Sequence, residues 1–281
     1  MKKIILSIIA VVMACSLVFG LVACKDPTDD GRRIYIAEAG SAGEEYAEPL
    51  VAKTEGATYV KAEAQKDVFT ELLAKTADIG IVDSIMANYY IKTSSKSQYA
   101  KKLEIVELAD ADKETYAIGL RKADVYLTQK INKALYDLQE DGTIGDIAST
   151  YGLTDSLVAF EAPVVDETLD KSGYNYIINK GEFVVGYTLF APIAYKDTND
   201  NLIGFDTDVA KAVCQKLGVT AKFQEIDWDL KEVELNSKNI DAIWNGMTKT
   251  EERAASMSLS ASYLKNTQVA VVRKGKASIV G

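Results

Sequence analysis

The feature that most constrains the fold is an alternation of short apolar runs with helical patterns in two separate stretches of the chain. In the first stretch, apolar runs at Arg33–Ala37 and Ile79–Val82 flank helical patterns. In the second, runs at Phe183–Tyr187 and 240–244 flank the helical segment Thr207–Leu217. Strands that alternate with helices form βαβ units, whose strands run parallel in one sheet. We therefore predict an α/β fold of two lobes, each built on its own sheet.

The first residues have the composition of an export signal. A short basic start precedes an apolar run over residues 4–21, and Leu-Val-Ala then leads directly into Cys24, which matches a lipobox. A basic start, an apolar core and small residues before the cleavage site are typical of secretory signals. We interpret residues 1–24 as a lipoprotein signal peptide, Cys24 as its lipidated residue and residues 25–32 as a polar tether. The alternative is a transmembrane anchor, because the apolar run approaches spanning length.

Composition argues against several classes of function. The formal net charge is −9, and the sequence contains no histidine. An acidic chain is a poor partner for nucleic acid, whose phosphates attract clustered Lys and Arg. The lack of histidine removes the commonest acid/base group and metal ligand at neutral pH. We expect no nucleic-acid partner, no metal and no cofactor. Cys214 lies on the apolar face of a helical pattern, which predicts a buried thiol.

The spacing of these patterns suggests domain boundaries. Residues 33–117 are predicted to form one lobe and residues 118–274 the other. Residues 154–181 have weak periodicity and are interpreted as a joining linker within the second of these segments. Residues 275–281 are interpreted as a tail. Val125–Glu140 is predicted to be an amphipathic helix, because its apolar side chains recur at helical spacing.

Several motifs carry a family resemblance. In the C-terminal half they are GYTLFAPIAY (186–195), GFDTDVAKAVCQKLG (204–218) and IDAIWNGMTKTEER (240–253). In the N-terminal half they are GSAGEEYAE (40–48), ADIGIVDSIMANYYI (77–91) and EDGTIGDIASTYG (140–152). The first group resembles the opening lobe of family 3 (polar amino-acid) bacterial solute-binding proteins of ABC transporters. The second group resembles the second lobe and closing helices of the same family.

The order of the two halves is the reverse of the family's usual order. The resemblance therefore implies a circularly permuted, type II periplasmic-binding-protein-like Venus-flytrap fold. In this interpretation 33–117 is the second lobe and 118–274 the first. The chain is expected to cross between lobes once, near Tyr116–Leu120, and residues 33–37 and 268–274 are expected to approach each other at the hinge.

The chemistry of a free amino acid indicates which side chains would bind it. It offers a carboxylate and an ammonium, and burying either without a partner is costly. Arg253 suits the carboxylate, because its planar fork binds bidentately. Thr248 adds a hydroxyl beside it, and Gly246 lets the backbone approach a ligand closely. A solvated helix position is the alternative for Arg253.

The resemblance adds further candidates. It implies that Asp83, at the end of an apolar strand, pairs with the ammonium; a helix N-cap is the alternative. It also implies that Ser41 and the amides of Ala42 and Gly43 contact the carboxylate, although an ordinary strand–helix turn would explain them too. Phe190 and Trp228 are expected to line the side-chain pocket, with a place in the core as the alternative. Removing Asp83 or Arg253 is expected to leave stability almost unchanged.

These observations favour a monomeric, extracytoplasmic receptor, lipid-anchored to the membrane through Cys24, that delivers an amino acid to an ABC permease. No residue is predicted to be catalytic. An enzyme on the same scaffold, of the dehydratase type, is one alternative. It would need a general acid in the cleft, and no carboxylate pair stands out in the sequence. A sensor without an importer, or a rearranged protein that no longer binds, is the other alternative.

Overall fold

The computed structural model describes residues 33–93, 97–109 and 111–280. The predicted signal peptide, its lipidation site Cys24 and the tether lie outside the described residues.

The strands are, in chain order, β1 (Arg33–Glu38), β2 (Ala57–Ala62), β3 (Ile79–Asp83), β4 (Leu103–Glu107), β5 (Glu114–Tyr116), β6 (Gly119–Arg121), β7 (Glu182–Tyr187), β8 (Tyr195–Lys196), β9 (Leu202–Ile203), β10 (Thr220–Glu225), β11 (Ala242–Ile243), β12 (Met257–Leu259), β13 (Leu264–Asn266) and β14 (Gln268–Arg273). The α-helices are α1 (Ala42–Lys53), α2 (Gln65–Ala74), α3 (Ser84–Ala87), α4 (Val125–Glu140), α5 (Thr143–Tyr151), α6 (Ser172–Lys180), α7 (Phe205–Leu217), α8 (Lys231–Asn236) and α9 (Glu251–Ser256). A π-helix, Asn88–Thr93, continues α3, and short 3₁₀ turns include Trp228–Leu230 and Ala277–Ile279.

Two five-stranded sheets organise the described residues. Sheet A has the order β2-β1-β3-β14-β4, in which β1 runs parallel to β2 and β3, while β14 is antiparallel to both its neighbours. Sheet B has the order β10-β7-β11-β6-β12, with β7 parallel to β10 and β11, and β6 antiparallel to both its neighbours. We call sheet A with α1–α3 lobe A, and sheet B with α4–α9 lobe B.

Helices cover both faces of sheet A. Successive residues of β1, such as Tyr35 and Ile36, belong to separate apolar clusters, because successive side chains of a strand point to opposite faces of the sheet. Helix α1 packs on the Tyr35 face and α2 on the other. The α/β class and the two-lobe architecture predicted from the sequence are confirmed. So are helix α4, with its buried apolar stripe, and the buried thiol of Cys214.

The chain crosses between the lobes twice, so the prediction of a single crossing is wrong. The first crossing runs from β5 to β6 through residues 117–118, at the predicted position. The second runs from β12 to β14 through β13. Strands β5 and β13 pair antiparallel, Tyr116 opposite Leu264, and this ribbon joins the lobes. A strand run in the sequence does not reveal its partner, which is why the second crossing was missed.

Strand β14 corrects the lobe boundary at residue 274. Gln268–Arg273 lies between β3 and β4 in sheet A, not in the lobe predicted for residues 118–274. It follows that both ends of the described chain are in sheet A, with β3 between β1 and β14. Residues 33–37 and 268–273 therefore approach each other as predicted, but within sheet A on the two sides of β3 rather than at the crossing ribbon. At the far end of the sheet, Arg273 forms an ion pair of 2.6 Å with Asp78, whose carboxylate accepts from the backbone N–H of Ile34.

Two local expectations also differ from the structure. The segment 154–181 is more than a linker, because it contains helix α6, whose Ile177 is fully buried beside β7 and α4. The helical segment predicted at Thr207–Leu217 does not begin at Thr207. Instead α7 begins at Phe205, and the Asp206 carboxylate accepts from the backbone N–H of Gly246 and from the Tyr263 hydroxyl, both at 2.7 Å.

The position of β14 can be tested by placing a charge in it. Val271 is fully buried between β3 and β4. We expect Val271→Asp to lower the free energy of unfolding by about 3 kcal/mol or more, because it buries a carboxylate without a partner. Urea denaturation measures the change. The control is Val233→Asp at a position that is 62% exposed, which should stay within about 0.5 kcal/mol of the unaltered protein. Equal effects of the two substitutions would contradict the topology.

Candidate functional site

A small cavity lies between the lobes, at the carboxyl ends of the parallel strands of both sheets. Its lining comes from both lobes: Glu38, Ser41, Ala42, Gln65, Asp83, Phe190, Trp228, Asn245, Gly246, Thr248 and Arg253. Eight of the nine predicted ligand-contact residues are in this set, and Gly43 is the exception. The cavity volume is about 10 Å³, which is room for roughly one water molecule. The lobes are therefore closed on each other, and an amino acid would enter only if they separated.

Arg253 projects from α9 into this cavity and is 5% exposed. Thr250 caps the helix, since its hydroxyl accepts from the backbone N–H of Arg253. One arm of the guanidinium, Nη1, donates to the backbone oxygen of Thr248 at 2.7 Å. The other arm, Nη2, lies 3.2 Å from Oε1 of Glu45 on α1 of lobe A. The alternative of a solvated helix position for Arg253 is wrong, and its guanidinium bridges the two lobes.

Gly246 and Phe190 are fitted to each other beside Arg253. Gly246 has φ +62°, and a Cβ there would lie 2.7 Å from the Phe190 ring and 3.1 Å from the Tyr116 ring. A side chain at this position would thus be strained and would also clash. Because Gly246 has no side chain, the aromatic rings can pack this closely against its backbone. Thr248, two residues on, donates its hydroxyl to Glu114 at 3.2 Å.

Asp83 ends β3 and is 4% exposed. Its Oδ1 accepts from Tyr116, at 2.7 Å, from Asn266 and from Gln268, at 3.2 Å. Its Oδ2 accepts from Gln65, and its side chain makes no helix-capping bond, so the N-cap alternative is wrong. Burial raises the pKa of Asp83 in spite of these donors.

This bonding corrects the expectation that Asp83→Ala would scarcely affect stability. The change would leave several buried donors unpaired at once, each at a cost of roughly 1–3 kcal/mol. Asp83→Asn, which keeps the shape, is the better probe of charge.

Glu38 and Gln65 are cavity residues that the sequence analysis did not identify. Glu38 ends β1, next to β3, and is 2% exposed, while its Oε1 has no hydrogen-bond partner. Gln65, at the start of α2, contacts the carboxylate through backbone and side-chain N–H groups. Burial and then the nearby Asp83 carboxylate raise the pKa of Glu38 from 4.5 to about 8. The rule that selected Asp83, an acid at the carboxyl end of a buried strand, would also have selected Glu38.

The loop after Glu38 forms the lobe A wall of the cavity. Ser41 caps α1: its hydroxyl accepts from the backbone N–H of Glu44 at 3.2 Å and donates to the backbone oxygen of Glu38 at 2.7 Å. The strand–helix turn alternative therefore accounts for the bonds of Ser41. Gly43 does not line the cavity. It packs α1 against β3, where a Cβ would lie 2.8 Å from the backbone oxygen of Ile81.

Lys231 closes the other side of the cleft. Its Nζ donates to the backbone oxygens of Gly40 in lobe A, at 2.9 Å, and of Trp228 in lobe B, at 3.1 Å. The ammonium also lies 5.1 Å from the centre of the Trp228 ring. Burial and then Arg253 lower the pKa of Lys231. Together with the Arg253–Glu45 pair, these contacts hold the lobes together beside the cavity.

Comparison with known proteins supports the resemblance. Residues 183–280 match the family described as bacterial extracellular solute-binding proteins, family 3. This segment of the chain therefore belongs to that family, and the recognition made from the motifs is confirmed. The circular permutation and the lipoprotein signal remain predictions.

Curated proteins with similar sequences are named as amino-acid-binding proteins. The arginine-binding extracellular protein ArtP of Bacillus subtilis is 34% identical over 85 residues, which cover 30% of this chain and 33% of the relative. A probable histidine-binding protein of Neisseria gonorrhoeae is 36% identical over 87 residues, covering 31% and 32%. The chain thus spans about a third of the length of these curated relatives.

Solved structures with similar segments include a substrate-binding protein of an ABC uptake transporter from Streptococcus pneumoniae with bound histidine. It is 38% identical, covering 30% of this chain and 35% of that one, with a TM-score of 0.29. The arginine-bound form of domain 1 from TmArgBP is 30% identical, covering 37% of this chain and 92% of that one, with a TM-score of 0.28.

Neither a membrane span nor a metal cluster occurs in the part of the chain that the structure describes. Among these residues, none of the helices has the length and hydropathy to cross a membrane. In the same ranges, no group of three or more Cys, Asp or Glu residues is placed to hold a metal ion.

Acids with raised pKa values predict that the stability of the fold decreases as the pH rises. The pKa is raised to about 8 for Glu38, and to about 7 for Glu114 and Asp206, in each case mainly by burial. A raised pKa means that the folded state holds protons that the unfolded state has lost. Their stabilising contribution is complete below the ordinary carboxyl range and is lost as the pH rises through about 7–8.

We therefore expect thermal unfolding to occur several degrees higher near pH 5.5 than near pH 8.5, given that about 1 kcal/mol moves Tm by roughly 2–4 °C in chains of this size. Glu38→Gln should reduce that difference. The control Glu48→Gln, at an exposed position, should leave it unchanged. Scanning calorimetry measures both, and a Tm of the unaltered protein that rises towards pH 8.5 would contradict the prediction.

Proposed function

We propose that this protein is an extracytoplasmic receptor that binds a free amino acid between its two lobes and delivers it to an ABC importer. The observation that carries the proposal is the cavity itself. It brings a guanidinium from lobe B, Arg253, and a carboxylate from lobe A, Asp83, to the same enclosed space at the carboxyl ends of the strands. Ligands of parallel α/β sheets bind at those ends.

The mechanism proposed is closure of the lobes around the zwitterion. The ligand carboxylate would displace Glu45 from the Arg253 guanidinium, because both are anions that use the same arm. The ammonium would approach Oδ2 of Asp83, which accepts one hydrogen bond, whereas Oδ1 accepts three. Hinge motion about the β5–β13 ribbon would open and close the cleft.

The names of the relatives support the ligand class. Proteins with similar segments are named for arginine, histidine and cystine binding. The permuted order of the lobes, the monomeric state and the ABC permease partner are parts of this proposal. So is the location: a protein anchored outside the cytoplasm by lipid on Cys24.

A dehydratase is the second candidate, favoured by one observation. Glu38 and Asp83 form the buried carboxyl pair that the sequence did not reveal, and an acid whose pKa is raised to about 8 is protonated at neutral pH. Such a group would protonate a leaving hydroxyl. Incubation with a cyclohexadienol amino-acid precursor distinguishes the candidates. An aromatic product that Glu38→Gln abolishes would favour the enzyme, and its absence would favour the receptor.

Substitution of the two predicted clamp residues tests the receptor. Arg253→Met and Asp83→Asn should each weaken amino-acid binding by about 30-fold or more, since truncating one member of a buried charge pair costs roughly 2–5 kcal/mol. Calorimetric titration of the full chain in mild detergent with each of the twenty amino acids supplies the measurement.

The matched control is Glu45→Gln, which removes the competing anion but no predicted ligand contact. The Glu45 side chain is 54% exposed, so its pair with Arg253 is worth about 0–1 kcal/mol. Binding should tighten by no more than about fivefold. Unchanged binding in both clamp variants would show that the site is misassigned.

The anchor has a separate test. The full chain should incorporate radiolabelled lipid precursor and sediment with membranes, because the thiol of Cys24 would carry the acyl chains. Cys24→Ala should abolish the label, and Cys214→Ala, at a buried position, should retain it. An unlabelled wild-type protein would refute the lipoprotein interpretation while leaving amino-acid binding untouched.

A further inference from the structure

Two residues of the cavity lining have a side-chain oxygen without a hydrogen-bond partner, Glu38 and Asn245, and of these Glu38 is the acid. It is 2% exposed and lines the cavity, yet its Oε1 has no hydrogen-bond partner. A buried carboxyl oxygen without a donor is costly, and the cost is recovered only when a donor reaches it. Glu38 therefore marks a position in the cleft where the protein offers an acceptor that its own donors leave free.

Asp83 and Glu38 differ in the number of hydrogen bonds that their carboxyl groups accept. Asp83 accepts hydrogen bonds from four side chains, three of them in the crossing strands or at the start of β14: Tyr116, Asn266 and Gln268. Glu38 receives its contacts from Gln65 alone, which lies between the two acids and also bonds Asp83. A bound cation would thus gain most from Glu38.

Among the residues that the structure describes, no cation forms a hydrogen bond or ion pair with the Glu38 side chain. The groups that face Glu38 are Asp83 on β3, Gln65 on α2 and, from lobe B, Lys231 and Arg253. Lys231 donates to two backbone oxygens and lies over the Trp228 ring. Arg253 donates to Thr248 and Glu45.

The cavity lining therefore carries two carboxyl groups against one guanidinium. A zwitterion brings one charge of each sign and leaves this balance unaltered. A ligand with a second positive charge would offset the second carboxyl. Without a cation between them, neighbouring buried carboxyls resist joint ionisation, which agrees with the raised pKa of Glu38.

We propose that Glu38 binds the positively charged side chain of the ligand, so that the receptor selects amino acids carrying a guanidinium or ammonium group. This inference rests on the proposed receptor function, with Arg253 and Asp83 holding the ligand's carboxylate and α-ammonium. Glu38 adds a third charged contact, from the strand next to Asp83, that sets specificity.

The experiment compares a cation with its neutral isostere. L-arginine and L-citrulline have nearly the same shape, but the citrulline side chain is uncharged. Both are titrated calorimetrically into the full chain in mild detergent near pH 8.5. The unaltered protein should bind arginine about 30-fold or more tightly than citrulline, as expected for a desolvated charge pair.

Glu38→Gln should lose most of its affinity for arginine, because it preserves the shape of the side chain and removes only the charge. Its affinity for citrulline should stay within about threefold of that of the unaltered protein. Its fold is checked by its unfolding temperature. The matched variant Asp83→Asn should weaken both ligands alike, because both carry the α-ammonium. A second readout is pH: between about pH 6 and 8.5 the arginine affinity should rise in the unaltered protein and stay flat in Glu38→Gln, because Glu38 must lose its proton to pair with the cation.

The outcomes separate this inference from the receptor proposal. Equal affinities for arginine and citrulline in the unaltered protein would overturn the role of Glu38 and leave the receptor intact. A Glu38→Gln variant that weakens both ligands equally would also overturn it, because Glu38 would then serve the α-ammonium or the fold. Failure of all twenty amino acids and citrulline to bind would overturn the receptor proposal and this inference together.

Discussion

The buried carboxylate of Asp83 is the interaction on which the arrangement of the lobes depends. It ends a strand of sheet A, and it accepts from Tyr116 on β5 and Asn266 on β13, the two strands that cross between the lobes. One group thereby joins the floor of the cleft to the hinge. The two oxygens of this carboxylate are used differently: the donors of the crossing strands bond Oδ1, whereas Oδ2 accepts from Gln65 of lobe A.

The closed cleft concentrates acidic groups where water is excluded. Glu38 and Asp83 are buried and Glu114 is half-buried, and burial is the first cause of the raised pKa of each. Arg253 and Lys231 face them from lobe B but are engaged by Glu45 and by backbone oxygens. The closed arrangement is thus held by contacts between the lobes, and the two buried acids of the cavity are the basis of the proposed preference for a cationic ligand.

Chain order and spatial order differ in this molecule. Sheet A is completed by β14, the last strand of the described chain, which inserts between β3 and β4. Its fully buried Val271 shows that the C-terminal strand is part of the core. Both ends of the described chain therefore lie in lobe A, and the chain crosses to lobe B and back through the paired strands β5 and β13.

The sequence by itself determined the α/β class and the two lobes, because the alternation of strands and helices is a local pattern. It also placed Arg253, Thr248 and Asp83, whose positions follow from short motifs and strand ends. Tertiary structure alone decided that β14 joins sheet A and that the chain crosses twice, since a strand does not encode its neighbour locally. It also decided that Oε1 of Glu38 is unpartnered, because a buried acid is recognised only when all the groups around it are known.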